Sequence, residues 1–162
     1  MRLSPFPATS LQLTRSLSAD ELPRSEIWMA GKPTGKAVIG AVLETALKWQ
    51  DFLLLLVTDD ILHEDTLRIY LLDSQLHIVD WATIGAMYAT GALSQLDLSA
   101  EDEISFHFMG DTVWTLTLFP SKRLASSTFP APRGVRRPWT LFRHFNLTGR
   151  PSREKSNATP AG

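Results

Sequence analysis

The sequence predicts a mainly β protein: a single-domain antiparallel β-sandwich or barrel of about six or seven strands, with at most one or two short helices. Three observations support this fold class. Short apolar or alternating segments recur through the chain, Asp, Gly and Ser turns separate them, and only one segment also has the spacing of a helix. The 162 residues suit one domain, and 44% hydrophobic residues can form its core.

Composition divides the chain into three parts. Residues 1–26 are polar with scattered Pro and Ser, and we expect a poorly ordered N-terminal segment; Pro5 and Pro7 interrupt the helix that a targeting peptide needs. Residues 27–149 form the β-rich domain. Residues 150–162 contain no large apolar side chain and are expected to be a disordered tail.

The first element of the domain, residues 38–49, fits two interpretations. As a strand it places several apolar side chains on one face: Ile39, Ala41, Leu43, Leu47 and Trp49. As a helix, which would make the fold α+β, it pairs Glu44 with Lys48 outside an apolar stripe. The short gap before Phe52 favours a strand that turns at Gln50 and Asp51.

The next segments have strand patterns. Phe52–Thr58 is a continuous apolar run, as expected for a strand buried on both faces. Residues 66–72 alternate, with Leu67, Ile69 and Leu71 on one side and Arg68, Tyr70 and Leu72 on the other. Residues 77–84 follow as a strand with Val79 and Trp81 on one face. Residues 93–98 complete this series.

A hairpin is predicted around Gly110 and Asp111. A two-residue loop would mix polar and apolar side chains on both faces, whereas a loop with an odd number of residues sorts them. The odd loop pairs Phe108 with Trp114, Phe106 with Leu116 and Ile104 with Leu118. It therefore gathers Phe106, Phe108, Trp114 and Leu116 on one face.

Composition and motifs exclude several kinds of chemistry. The chain has no Cys, which rules out disulfides, thiol catalysis and Cys-ligated metals, and it suits a cytoplasmic protein. The longest apolar run has six residues, too few to cross a membrane as a helix. The segment from Gly31 to Lys36 lacks the spacing and the Ser/Thr of a phosphate loop, and no serine hydrolase motif occurs. We therefore predict no cofactor and no catalytic motif.

Two groups of polar residues are alternative sites. Asp60, His63 and Asp65 have the side chains of a cation site, but they follow a strand end without a calcium-loop pattern, so a solvated loop is the preferred interpretation. Arg68, His77, Asp80 and His107 could instead line an internal polar cavity, although nothing in the sequence shows that these four residues are neighbours.

Charge is distributed unevenly along the chain. Residues 1–119 contain 7 Lys/Arg and 16 Asp/Glu, a net charge of −9, whereas residues 120–162 contain 9 Lys/Arg and one acid, a net charge of +8. The basic part interleaves Arg with aromatic residues, which suits an anionic partner. The candidate partner-binding residues are Arg133, Arg136, Arg137, Trp139 and Arg143.

Two functional hypotheses follow. The first is a non-enzymatic interaction module of bacterial type that binds another protein or a second copy of itself. Its acidic body argues against nucleic acid, and no membrane partner is expected. The second is a small β-barrel ligand-binding protein or enzyme with an internal polar cavity. An internal interpretation of the basic segment is also open, in which it packs against the acidic part of the same chain.

Overall fold

The computed structural model describes residues 2–7, 10–15, 23–59, 66–85, 92–108, 110, 112–125, 131–132 and 134–151, referred to below as the described residues. Their regular structure is entirely β, with thirteen strand segments that pair antiparallel in three sheets. The mainly β prediction is therefore confirmed, and the helix interpretation of residues 38–49 is wrong. The described residues contain more strand segments than the expected six or seven, because several segments are only two to five residues long.

The strands belong to three sheets. The six-stranded sheet contains, in spatial order, β1 (Ser4–Pro5), β5 (Val42–Trp49), β6 (Phe52–Thr58), β7 (Leu67–Leu72), β8 (Ile78–Ile84) and β12 (Val135–Arg136). The four-stranded sheet contains β13 (Phe142–Pro151), β11 (Thr112–Leu124), β10 (Glu103–His107) and β9 (Ser94–Asp97). The three-stranded sheet contains β2 (Leu11–Arg15), β3 (Arg24–Met29) and β4 (Lys32–Ile39).

The six-stranded sheet separates two apolar cores. One face packs with the four-stranded sheet around residues such as Leu54, Ile69, Phe106 and Leu116. The opposite face packs with Leu11, Ile27 and Val38 of the three-stranded sheet. The arrangement is a layered β-sandwich, and the sheets of the described residues do not close into a barrel.

Strand β6 lies in the middle of this arrangement. Leu54 and Leu56 belong to the core shared with the four-stranded sheet, whereas Leu53, Leu55 and Val57 belong to the other core. The continuous apolar run therefore covers both faces of a central strand, which confirms the prediction for Phe52–Thr58. The alternation predicted for residues 67–72 is confirmed too, because Leu67, Ile69 and Leu71 face the first core and Tyr70 and Leu72 the second.

Residues 38–49 form the end of β4 and the whole of β5, with a bend at Gly40 and Ala41. The strand interpretation is confirmed, but the single apolar face predicted for it is wrong. Leu47 lies in the core with the four-stranded sheet, whereas Leu43 packs against the other core. The register with β6 shifts between Leu43 and Thr45, and this bulge moves later side chains to the opposite face.

The hairpin between β10 and β11 has the predicted faces in a different register. Phe106, Phe108, Trp114 and Leu116 share one buried face. The pairs are Ile104 with Leu116 and Phe106 with Trp114, so the predicted pairing is wrong by two residues. Five residues, 108–112, separate the paired strands, and the loop length is odd as predicted. The Trp114 indole donates to the Phe108 carbonyl at 3.0 Å, which stabilises Phe108 within the loop.

The faces predicted for residues 77–84 are also wrong in part. Val79 packs against the core with the four-stranded sheet, whereas Trp81 packs against the opposite core. The reason is a register shift, because Leu71 pairs with Asp80 while the next residue, Leu72, pairs with Ile78. Val79 is the extra residue of this bulge, and it breaks the simple alternation.

The N-terminal segment contributes to both cores. Leu3 is buried with the first core and Leu11 with the second. Strand β1 pairs with Leu47 and Lys48, and β2 pairs along the whole of β3 from Leu11 to Arg15. The described parts of 1–26 thus include strands of two sheets. The domain boundaries themselves stay a prediction.

Gly149 of β13 lies directly beneath a core tryptophan. A Cβ at this position would come within 2.7 to 2.9 Å of three carbon atoms of the Trp114 ring. We expect Gly149→Ala to lower the free energy of unfolding by about 1–3 kcal/mol, since the buried indole must shift. Urea unfolding measures the change. Thr148→Ala, at the exposed neighbouring position, is the control, and equal stability of the two variants would contradict the prediction.

Candidate functional site

The predicted partner-binding residues have different environments. Arg136 is exposed on β12, next to Thr83 of β8. Trp139 is 98% exposed, and Arg143 is partly buried at the start of β13. The side chain of Arg137 is only 9% exposed, and Arg133 lies outside the described residues. The basic segment therefore divides into a buried arginine and an exposed surface.

Arg137 joins the two sheets of the larger core. Its Nε donates to the carbonyl of Trp81 at 3.0 Å, and its Nη1 donates to the carbonyl of Phe145 at 3.1 Å. Its Nη2 donates to Oδ2 of Asp80 at 2.8 Å. The guanidinium also lies 4.1 Å from the centre of the Phe145 ring. Strands β8 and β13 are thus connected through one side chain.

Both oxygens of the Asp80 carboxylate also accept hydrogen bonds from within the chain. Oδ2 accepts a second hydrogen bond from the backbone N–H of His144 at 2.8 Å, and Oδ1 accepts one from the N–H of Trp81 at 2.8 Å. Burial lowers the pKa of Arg137, with Arg143 acting in the same direction and Asp80 opposing it. Both side chains are committed to contacts within the chain, so we do not include Arg137 in the partner surface.

The four alternative cavity residues do not meet. Asp80 pairs with Leu71 and shares its face of the six-stranded sheet, whereas Arg68 lies on the opposite face with Tyr70. His77 is exposed, and its Nδ1 lies 3.3 Å from Oδ2 of Asp73. His107 is on β10 of the other sheet, beside Val113 and on the face away from Phe106. This geometry provides no common site for acid–base chemistry by these residues.

Arg68 belongs to a polar network that the sequence did not predict. Its Nε and Nη2 donate to the two carboxylate oxygens of Asp59 at 2.8 and 3.0 Å. Burial opposes the charge of Arg68, but the hydrogen bonds and charge of Asp59 outweigh burial and raise the pKa of the guanidinium. The Tyr70 hydroxyl donates to the Ile39 carbonyl at 2.7 Å, and burial raises the pKa of Tyr70. These groups connect the six-stranded sheet to β4.

The exposed surface is a two-stranded extension, which we call the basic–aromatic ribbon and define as residues 119–125 and 138–143. Strands β11 and β13 pair up to Leu118 and Phe145, and their register then shifts. Beyond the shift, Arg123 pairs with Arg143 and Leu124 with Phe142, and the Ala125 N–H donates to the Leu141 carbonyl at 2.7 Å. The pairing holds the ribbon in a defined conformation.

The ribbon carries large apolar side chains that are exposed to solvent. Leu124 and Leu141 are each 71% exposed, Phe142 is 41% exposed and Trp139 is almost completely exposed. The remaining large hydrophobic side chains that are exposed in the described residues, Val42 and Ile78, lie on other strands. Four of the six exposed large hydrophobic side chains of the described residues thus lie on this one element, which makes it the candidate interaction surface.

The cationic side chains of the ribbon contact other residues of the ribbon. Lys122 lies 4.5 Å from the centre of the Phe142 ring, and Arg123 lies 4.2 Å from that of Phe119. Nη1 of Arg143 donates to the Pro138 carbonyl at 2.8 Å and to the Thr140 hydroxyl at 2.9 Å. None of these three cations forms an ion pair with a described acidic residue.

Half of this surface was not predictable from the composition of the basic segment alone. The candidate residues include Trp139 and Arg143 but not Lys122, Arg123 or Leu124. The signal was present, because Lys122 to Leu124 repeats the mixture of basic and apolar residues found at 136–143. Pairing of the two segments across the ribbon, which the sequence does not show, brings these mixtures together.

An acidic turn lies beside the base of the ribbon. We define the acidic turn by Asp97, Glu101, Asp102 and Glu103. The Asp102 carbonyl accepts a hydrogen bond from the N–H of Leu118 at 2.7 Å, which places the turn next to the residue where the ribbon begins. The Trp49 indole donates to the Asp102 carboxylate at 2.6 Å, and this hydrogen bond lowers the pKa of Asp102.

The predicted metal candidates Asp60, His63 and Asp65 lie outside the described residues. Within the part of the chain that the structure describes, no three His, Asp or Glu side chains form a group that could hold a metal ion. Nor does that part contain a helix that is long and apolar enough to span a membrane.

Comparison of the chain with models of known protein families, with curated proteins and with solved structures found no match. The function therefore has to be inferred from the geometry of the surface.

Proposed function

We propose that this protein is a non-enzymatic interaction module whose basic–aromatic ribbon binds an acidic surface of a partner protein. The observation that carries the proposal is the combination, on one element, of an exposed Trp139, exposed leucines and cations that form no ion pair with a described acidic residue. In this proposal the module acts in the cytoplasm, which is consistent with a chain that lacks Cys.

The chemistry of the ribbon suits a protein interface. Trp and Arg are the residues that contribute most often to binding energy when an interface buries them. Arg143 restrains the loop that carries Trp139 through its bonds to Pro138 and Thr140. Ordering this loop in the free protein reduces the entropy that binding must remove. The cations then select a partner whose surface is acidic.

The neighbouring charges favour an acidic protein over other anions. The acidic turn lies beside the ribbon, where it repels a continuous array of phosphates such as a nucleic acid or an anionic membrane. A protein surface can place its acidic side chains opposite the ribbon and none opposite the acidic turn. Its apolar groups can cover Leu124 and Leu141.

A fluorescent ten-residue peptide of Glu and Leu tests the proposal. We expect the full chain to bind this peptide with an affinity that falls as salt rises. Trp139→Ala should weaken binding about fivefold or more, since truncation of a central interface tryptophan costs more than about 1 kcal/mol. Arg123→Glu should weaken it similarly. Fluorescence anisotropy measures the Kd of each variant.

The control is Arg24→Glu, a charge reversal at an exposed position of β3 on the three-stranded sheet. This variant should bind the peptide as the unchanged protein does. Equal binding by Trp139→Ala and the unchanged protein would contradict the proposal. Tighter binding of a single-stranded oligonucleotide or of anionic phospholipid vesicles than of the peptide would also overturn it.

A further inference from the structure

We infer that the partner presents an extended segment of alternating acidic and apolar residues, which adds as an antiparallel strand to the outer edge of β13. This inference rests on the proposed function and deepens it, since the same partner would contact the ribbon and the strand that continues from it. It names the form in which the acidic partner binds. We call residues 145–150, on the side of β13 away from β11, the β13 edge.

The backbone of β11 shows which residues of β13 face outward. The Leu118 N–H donates to the Asp102 carbonyl at the start of β10, and the Thr112 carbonyl accepts a hydrogen bond from the N–H of Phe108 at 3.4 Å. Successive residues of a strand direct their backbone groups to alternate sides. The even-numbered residues from Thr112 to Leu118 therefore face β10, and the odd-numbered residues between them face β13.

The same alternation leaves backbone groups unpaired on β13. The residues opposite the odd-numbered residues of β11 are Asn146, Thr148 and Arg150, and their N–H and C=O groups bond to β11. Leu147 and Gly149 lie between them and direct their N–H and C=O groups outward. No described residue bonds to these outward groups. The β13 edge thus offers two donors and two acceptors to an added strand.

The other edges of the three sheets are short or carry residues that hinder pairing. Strands β1 and β12 have two residues each, and β9 has four and an irregular register with β10. Strand β2 has five residues, and β4 contains Lys32, Pro33 and Lys36. Proteins protect exposed edges by such features. Strand β13 has ten residues and no proline before Pro151, so it is the edge of the described sheets that best suits strand addition.

Charges at the two edges of the four-stranded sheet favour an acidic segment at β13. Arg143 and Arg150 flank residues 144–149, which contain no Asp, Glu, Lys or Arg. Arg150 is exposed and forms no ion pair with a described acidic residue. The opposite edge of the sheet, β9, ends at Asp97 of the acidic turn. An acidic segment is therefore attracted to β13 and repelled from β9.

The two faces of β13 determine the alternation expected in the partner. Leu147 is buried in the core, whereas Thr148 and Arg150 are exposed on the other face. Directly opposite residues of two strands place their side chains on the same face. In an antiparallel addition, which is how every described strand pairs, apolar residues thus lie opposite Leu147 and Gly149 and acidic residues opposite Thr148 and Arg150. The N–H groups of the apolar residues then bond to the β13 edge, and those of the acidic residues point to solvent.

Two N-methylated peptides test this geometry. Both are versions of the fluorescent Glu/Leu peptide with the two residues in strict alternation, and one is methylated at the Leu amides and the other at the Glu amides. We expect the Leu-methylated peptide to bind at least about tenfold more weakly than the unmodified peptide, since its hydrogen bonds to Leu147 and Gly149 are lost. The Glu-methylated peptide, the matched control, should bind within about twofold of the unmodified peptide. Fluorescence anisotropy measures the three Kd values.

Amide hydrogen exchange measured by NMR locates the added strand. Saturation with the unmodified peptide should slow exchange of the Leu147 and Gly149 amides at least about tenfold, while the Thr148 amide, already bonded to β11, serves as the reference. Arg150→Glu, outside the ribbon, should weaken peptide binding about threefold or more, and Arg24→Glu should leave it unchanged. Circular dichroism verifies that both variants are folded.

The outcomes separate this inference from the proposed function. Equal affinities of the two methylated peptides, or unchanged exchange at Leu147 and Gly149, would overturn strand addition. If the unmodified peptide then still binds and Trp139→Ala weakens it, the proposed function stands alone. If the unmodified peptide does not bind, the proposed function fails as well. Slow exchange of both amides in a free protein that sediments as a dimer would assign the β13 edge to a second copy and would also overturn the inference.

Discussion

Arg137→Met is expected to lower the free energy of unfolding by about 3–5 kcal/mol. The substitution removes the hydrogen bonds to Trp81, Phe145 and Asp80. Asp80 is 2% exposed, so its carboxylate would stay buried with its backbone donors but without the opposite charge. Breaking a buried ion pair from one side is costly for this reason.

Guanidinium chloride unfolding of Arg137→Met measures this loss. The matched control is Arg136→Met, which changes the exposed arginine at the preceding position and should alter stability by less than about 0.5 kcal/mol. A second variant, Arg137→Met with Asp80→Leu, removes both charges and should recover part of the loss. Equal stability of the Arg136 and Arg137 variants would show that the buried pair does not stabilise the fold.

Gly40→Ala is expected to lower the free energy of unfolding by about 2–5 kcal/mol. Gly40 has a φ of 134°, a conformation in which L-residues are strained by about 1–3 kcal/mol. A Cβ there would also collide with the Val57 side chain and lie 3.2 Å from its Cβ. Overpacking of this kind costs about 1–3 kcal/mol more. The backbone cannot move freely, because the Gly40 N–H donates a hydrogen bond to the Pro23 carbonyl and the Gly40 carbonyl accepts one from the Ser25 hydroxyl.

Gly35→Ala separates the two causes of the Gly40 effect. Gly35 has a φ of 73°, and a Cβ there would meet no atom within 4 Å. Its substitution should therefore cost only the conformational part, about 1–2 kcal/mol. Thermal and urea unfolding of both variants give the comparison. If Gly40→Ala is no less stable than Gly35→Ala, the collision with Val57 contributes nothing.

The regular strands could be predicted because their side-chain patterns depend only on burial. Phe52–Thr58 has apolar side chains on both faces, since a core covers each of them. Leu67, Ile69 and Leu71 alternate with Arg68 and Tyr70 for the same reason. Where a strand is fully paired and undistorted, the order of residues determines which side chain faces which core.

The bulges were not predictable from local sequence. An extra residue at Val79 or between Leu43 and Thr45 reverses the faces of a strand, yet no residue type in these segments requires a bulge. The loop at 108–112 raised a similar difficulty, because the Trp114 indole donates to the Phe108 carbonyl, a contact that the side-chain pattern does not show. These features depend on contacts across strands.

The candidate site shows the same limit. Arg137 and Trp139 are two residues apart, but one is buried and the other is almost completely exposed. The difference depends on Asp80, which lies 57 residues earlier in the chain and reaches Arg137 because β12 pairs with β8. The basic segment was predictable as a group of residues, but the division of its arginines between fold and surface was not.

The central position of β6 also affects the chain before it folds. Phe52–Thr58 is seven uncharged residues rich in Leu, without Pro or Gly, and such segments pair readily with strands of other chains when they are exposed. Two sheets must pack on β6 before both of its faces are covered. Asp51 and Asp59 flank the segment, and a charge at each end opposes intermolecular stacking during that interval. We therefore expect the two aspartates to disfavour aggregation of the folding chain.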